Sequence, residues 1–152
     1  NMLAVGKKKI DGQGLAAALH LVRSNGVCMG IADASVDAVT MSFGIRNMPD
    51  VLACLRDIRR VIRPGGRALI LESALPKSRP LRAMHVFYLR HVLPYIGGLV
   101  SGDFGAYRYL NTTIEAFPYG EAFCALMREA GFRNVTAHTL TFGAANIYQG
   151  DV

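Results

Sequence analysis

The sequence predicts an α/β domain built around a parallel strand–helix–strand crossover, and three features in the middle of the chain predict it. Residues 36–43 (VDAVTMSF) are β-branched and largely apolar, as a strand buried on both faces should be. Leu52, Leu55, Ile58 and Ile62 then recur at helical spacing, with Arg56, Arg59, Arg60 and Arg63 on the outer side. Pro64-Gly65-Gly66 stops that helix and turns the chain, and residues 68–71 follow as a second buried strand that ends at Glu72. Such an order specifies a right-handed crossover between parallel strands.

The other elements follow from local signals. Residues 1–10 read as a helix with lysines 7–9 at its end, where cations complement the helix dipole. Asp11-Gly12-Gln13-Gly14 is a turn, residues 19–23 are a short strand candidate, and residues 24–34 are a loop. Pro49 sits near the first turn of the central helix, with Asp50 beside it. Residues 75–118 form a long, mostly helical segment punctuated by Pro76, Pro80 and Pro94. A helix over 121–130 is capped by Gly131, and 135–141 with 144–149 form an antiparallel hairpin around Gly143 at the sheet edge.

Composition bounds the function. At 152 residues, 51% hydrophobic and 18% charged, the chain suits a single folded domain over residues 1–152. No stretch reaches the ~18 apolar residues that a membrane span requires. Cys28, Cys54 and Cys124, like His20, His85, His91 and His138, match no metal-ligand spacing, so no metal is expected. The formal charge of +6 is spread along the chain without interleaved aromatics, which argues against nucleic acid; a solvated helical face accounts for most of it, and an anionic membrane surface as a partner could use the rest. No signal or transit signature stands at the N-terminus.

Sharper signals begin at Asp33. Ser42-Phe-Gly-Ile-Arg46-Asn47 is followed by Arg63-Pro-Gly-Gly66 and Leu71-Glu72. Then come His91-Val-Leu-Pro94, Tyr107-Arg-Tyr-Leu110, Phe117-Pro118, Glu129-Ala-Gly-Phe132 and Leu140-Thr-Phe-Gly143. In these motifs and their order, the chain resembles the C-terminal two-thirds of the ubiquinone/menaquinone-biosynthesis C-methyltransferase family. Members of that family are class I enzymes dependent on S-adenosylmethionine. The resemblance implies a Rossmann-like, doubly wound sheet with a C-terminal antiparallel strand pair, here lacking the first strand and glycine-rich loop. The domain would thus be incomplete, with 75–118 as a helical insertion covering the substrate. Sheet edges left unpaired by a missing strand are prone to aggregation, so the expectation is a piece of a larger polypeptide or a chain completed by a partner.

The same resemblance implies C-methylation of a polyprenyl benzoquinol or demethylmenaquinol. Asn25 and Gly26 fall where a loop flanks the adenine of S-adenosylmethionine, and Ser42 falls beside its methionine moiety. Departures are the absent glycine turn and ribose-binding acid, and Gly26-Val27 and Met29-Gly30-Ile31 in the adenine loop.

On the acceptor side, Arg46 at a strand's carboxyl end is the candidate partner of a ring phenolate, whose ionisation a cation favours. Asn47 is a candidate for orienting the ring, and His91 or Tyr88 for relaying a proton. The alternatives are that Arg46 bonds a nearby carbonyl, that Asn47 caps the next helix, and that His91 and Tyr88 are packed core. Ser42 and Arg46 are expected together at one rim of the sheet. Residues 81–100, apolar and basic in parts, are read as both a lid and a contact with anionic lipid. A homodimer, or a subunit of a quinone-biosynthesis complex, is expected in the bacterial cytoplasm or mitochondrial matrix, peripheral to the inner membrane. The competing readings are a degenerate, non-catalytic scaffold in a larger assembly and a broad-specificity methyltransferase acting on a different small molecule.

Overall fold

A computed structural model describes residues 2–102 and 104–152. It contains a mixed four-stranded sheet, in the order β1-β2-β4-β3, made of β1 (Val36–Ser42), β2 (Ile62–Ser73), β3 (Arg133–Leu140) and β4 (Ala145–Asp151). β1 and β2 are parallel neighbours joined by helix α2 (Val51–Val61), the crossover expected from the pattern. β4 runs antiparallel to both β2 and β3, so the hairpin at the sheet edge also forms.

Asp50, not Asn47, caps α2: its carboxylate accepts the Ala53 N–H at 2.8 Å. The helix ends at Val61 and the chain enters β2 at once, so Pro64-Gly65-Gly66 lies within the strand. There it makes a bulge, since the register to β1 jumps from Val36–Ile62 to Ala38–Arg67. Gly66 is required at that point, because a Cβ would stand 2.5 Å from the Asp37 carbonyl oxygen.

The core lies on one face of the sheet. Cys54, Leu55, Ile58 and Val61 of α2 and Phe123, Cys124 and Met127 of α6 (Glu121–Glu129) pack on Ala68, Ile70 and Tyr148. Phe132 and Ile45 close the cluster. The opposite row, including Ala38, Thr40, Ser42, Thr136 and His138, is exposed. β1 is therefore half-buried rather than buried on both faces: it is an edge strand with one open face.

Residues 19–23 form no strand. They lie as exposed coil, because an extended segment becomes a strand only where a neighbour supplies its hydrogen bonds. Helix α1 (Met2–Gly12) matches the expected helix apart from Asn1, which lies outside the described residues, and it buries no residue.

The insertion is helical: α3 (Arg79–Phe87), α4 (Leu93–Ser101) and α5 (Phe104–Ala116). A single widened turn, Tyr88–Val92, links α3 to α4. In it the Leu93 N–H bonds the Tyr88 carbonyl, five residues back, and Pro94 has no N–H to offer Leu89. The orphaned Leu89 carbonyl accepts the side-chain amide of buried Asn111 from α5 instead. Leu75, Leu89 and Ile114 form a second small core beneath these helices. No helix among the described residues is long and apolar enough to cross a membrane.

Candidate functional site

The carboxyl end of β1 carries the site. Phe43 takes a left-handed backbone (φ 52°), an uncommon conformation for a side chain of its size, and swings the chain into a short helical turn, Ile45–Asn47. Ile45 plugs the core with no exposed surface. The turn is thereby fixed, and Arg46 and Asn47 are presented at the rim.

Arg46 is not a free cation. Its Nη1 donates to the Glu72 carboxylate at 2.6 Å and to the Phe43 carbonyl at 2.9 Å, so the expected carbonyl bond exists inside an ion pair. Its side chain is 9% exposed and that of Glu72 0%, so this is a buried pair. Glu72 also accepts the Ser73 N–H at 2.8 Å. The Arg46 Nε–H is buried and has no hydrogen-bond partner among the described residues. A buried donor without an acceptor is costly unless something else supplies one.

Asn47 accepts a hydrogen bond from the Tyr109 hydroxyl at 3.2 Å, which ties the insertion to the rim. Gly26 lies against Met48: a Cβ there would come within 2.7 Å of its Sδ. The Asn25–Gly26 turn thus sits beside the Arg46–Asn47 turn, and the Asn25 carbonyl oxygen of the side chain accepts the Val27 N–H at 3.2 Å.

Sequence reasoning missed what holds that loop. The Met29 N–H donates to Asp57 at 2.7 Å, while Arg60 donates to the Met29 and Ile31 carbonyls at 2.9 and 2.8 Å and to Asp33 at 2.5 Å. The Arg60 hydrogen bond, at 2.8 Å, holds the Asp57 carboxyl below its ordinary range. The signal available was an acid and an arginine three residues apart on α2, which reads equally well as a surface pair.

Ser42 shares the rim with Arg46 but not a face. Strand alternation puts Met41 on the core side and Ser42 on the open side, whereas Arg46 turns to Glu72, which follows Ile70 on the core side. The expected joint arrangement is thereby corrected: the two meet at the edge of the sheet from opposite sides.

His91 and Tyr88 are not packed core. His91 is exposed and stacks on Phe87, with ring centroids 5.0 Å apart. Tyr88 lines an apolar groove of about 380 Å³ with Pro76, Leu81, Met84, His85 and Phe142. No hydrogen bond joins either side chain to Arg46 or Asn47 among the described residues. Within the groove, burial pushes the His85 pKa down, favouring its neutral form. Phe142 is 87% exposed and left-handed (φ 54°), an apolar side chain held out at a strained turn.

The model of the ubiE/COQ5 methyltransferase family matches residues 1–151. The chain is 41% identical over 150 residues to the demethylmenaquinone methyltransferase of Thermus thermophilus, covering 99% of this chain and 67% of that protein. It is 42% identical to the ubiquinone/menaquinone biosynthesis C-methyltransferase UbiE of Geobacter sulfurreducens, covering 99% of this chain and 58% of that one. The chain thus spans about three-fifths to two-thirds of the length of these curated relatives.

Solved structures agree in fold. A SAM-dependent methyltransferase from Aquifex aeolicus superposes with a TM-score of 0.59 at 16% identity, covering 99% of this chain and 64% of that one. The structure described as PigF with SAH gives 0.63 at 19% identity, covering 98% of this chain and 40% of that one. The sequence matches therefore lead to one conclusion, with which the fold agrees: this chain belongs to the ubiE/COQ5 methyltransferase family.

Proposed function

We propose that this chain forms the acceptor side of an enzyme that methylates a ring carbon of a polyprenyl benzoquinol or demethylmenaquinol, with S-adenosylmethionine as donor. The observation that carries this reading is the buried, unpartnered Nε–H of Arg46, in the same short turn as Asn47, whose side chain accepts from Tyr109. Family relatives named for this chemistry support it.

The donor, when bound, supplies an electrophilic methyl group on a sulfonium. This chain fits one flank of it: Ser42 is exposed at the rim of β1, where open α/β sheets bind ligands, and the Asn25–Gly26 turn lies nearby.

The acceptor must carry electron density into its ring, which a polarised or ionised ring hydroxyl provides. The free Nε–H of Arg46 is suited to that oxygen. Its effect comes through a directed hydrogen bond, because Glu72 offsets much of the charge. Asn47, steadied by Tyr109, orients the ring. His91 and Tyr88 serve as relays only if the insertion closes over the rim.

The insertion over 75–118 covers the acceptor, and the apolar groove behind Tyr88 suits an isoprenoid tail. Met84, Phe87, Tyr95, Ile96 and Leu99 are exposed along the same helices, with Lys77, Arg79 and Arg82 nearby, so this face meets anionic lipid.

Calorimetry with S-adenosylhomocysteine, on this chain and on its full-length parent, tests the enzyme against the scaffold. Binding by the parent supports the enzyme. Absence of binding by both supports the non-catalytic scaffold.

A further inference from the structure

We infer that Glu72 is a positioning residue: it holds the guanidinium of Arg46 so that the Nε edge is left for the ring oxygen of the acceptor. This rests on the acceptor-side reading of Arg46 above. Four observations carry it. Glu72 is completely buried at the carboxyl end of β2, and its Oε1 takes both Arg46 Nη1 at 2.6 Å and the Ser73 N–H at 2.8 Å. Its other oxygen faces the Arg46 backbone N–H at 3.5 Å. Arg46 Nη1 is used a second time by the Phe43 carbonyl, so one corner of the fork is doubly anchored. The adjacent Nε–H is buried and bonded to nothing among the described residues.

A carboxylate placed only for stability has no reason to leave its partner's donor orphaned, since a buried unmet N–H opposes folding. Anchoring one nitrogen of a planar fork fixes the direction of the others, which a lysine could not reproduce. Glu72 touches no acceptor itself; it acts through Arg46. The strand pairing makes its placement rigid, because Glu72 lies opposite buried Asn146 on β4, and the Asn146 amide donates to the Tyr148 hydroxyl at 3.0 Å.

The test is made in the full-length parent with a quinol acceptor. Glu72→Gln keeps shape and an acceptor oxygen but loses the charge-assisted anchor. The expected result is a fall in kcat of roughly tenfold or more, with the KM for S-adenosylmethionine within about twofold. A Glu72→Gln protein with kcat within about twofold of the parent overturns the inference. Should that variant fail to fold, chemical rescue decides. Arg46→Ala supplied with methylguanidinium is expected to regain turnover, and Arg46→Ala combined with Glu72→Leu is not. Equal rescue in both, or rescue in neither, overturns the inference. Unimpaired turnover in Arg46→Ala alone sinks the underlying reading of Arg46 instead, which keeps the two failures distinguishable.

Discussion

A methyl group added at Gly66 would collide with the Asp37 carbonyl oxygen and with Ile62, both of which belong to strands that cannot shift independently. Gly66→Ala is therefore expected to destabilise by about 1–3 kcal/mol, read from the urea midpoint, while a control Gly30→Ala, in open space with no positive φ, falls far short of it. Asn111 has the same local character. Replacing it with leucine leaves the Leu89 carbonyl buried without a donor, and a loss of about 1–3 kcal/mol is expected. Thiol chemistry separates the cysteines: burial pushes the Cys54 thiol up to about 11, while Cys28 is exposed. Alkylation at neutral pH should label Cys28 alone in the folded protein. At this scale the sequence was readable only in part even among near neighbours: it set the start of α2 at Pro49 and Asp50 but offered Asn47, three residues too early, as the cap. It was silent where the partner is distant: nothing in the spacing links Asn111 to Leu89, or says that Arg46 and Glu72 meet 26 residues apart.

Elements show the same division. The amphipathic α2, the strand after it and the terminal hairpin were legible, because periodicity and turn chemistry are local. The supposed strand at 19–23 was not, since its ladder needs a neighbour that periodicity cannot guarantee. The loop over 24–34 is held to α2 by Asp57 and Arg60. The folded-state pKa of Asp57 lies below its ordinary value of 3.8, so its contribution is present above that value and is lost as pH falls through the lower, folded-state value. Asp57→Asn should thus lower stability at pH 6, and the loss should shrink progressively as pH falls below 3.8, as measured by thermal melts of both proteins across that range. The turn at Phe142 sets stability against exposure of an apolar side chain that would extend the proposed lipid contact. Asn tolerates the left-handed backbone better than Phe, so Phe142→Asn should keep or raise Tm. It should also weaken co-sedimentation with anionic vesicles, and unchanged vesicle binding would remove this turn from the lipid contact.

For the whole molecule, family and fold were both accessible from the motif order, because Ser42-Phe-Gly-Ile-Arg46-Asn47 and its companions span most of the chain. What the motifs could not supply was the arrangement of charge. A sequence shows Arg46 as a cation, whereas folding gives it a buried counter-ion and leaves one donor unused. Nor could they show that Ser42 and Arg46 approach the rim from opposite faces of the sheet. On the proposed reading the two halves of a methyl transfer are served by different residues: Ser42 and the Asn25–Gly26 turn flank the donor, and Arg46 of the buried pair meets the acceptor. That separation is tested most directly by Arg46→Gln in the full-length parent, with donor binding and quinol methylation measured on the same preparation. The account predicts that S-adenosylhomocysteine binds as tightly as before while methylation falls by roughly a hundredfold. Methylation that persists at the parental rate, with donor binding intact, would contradict it.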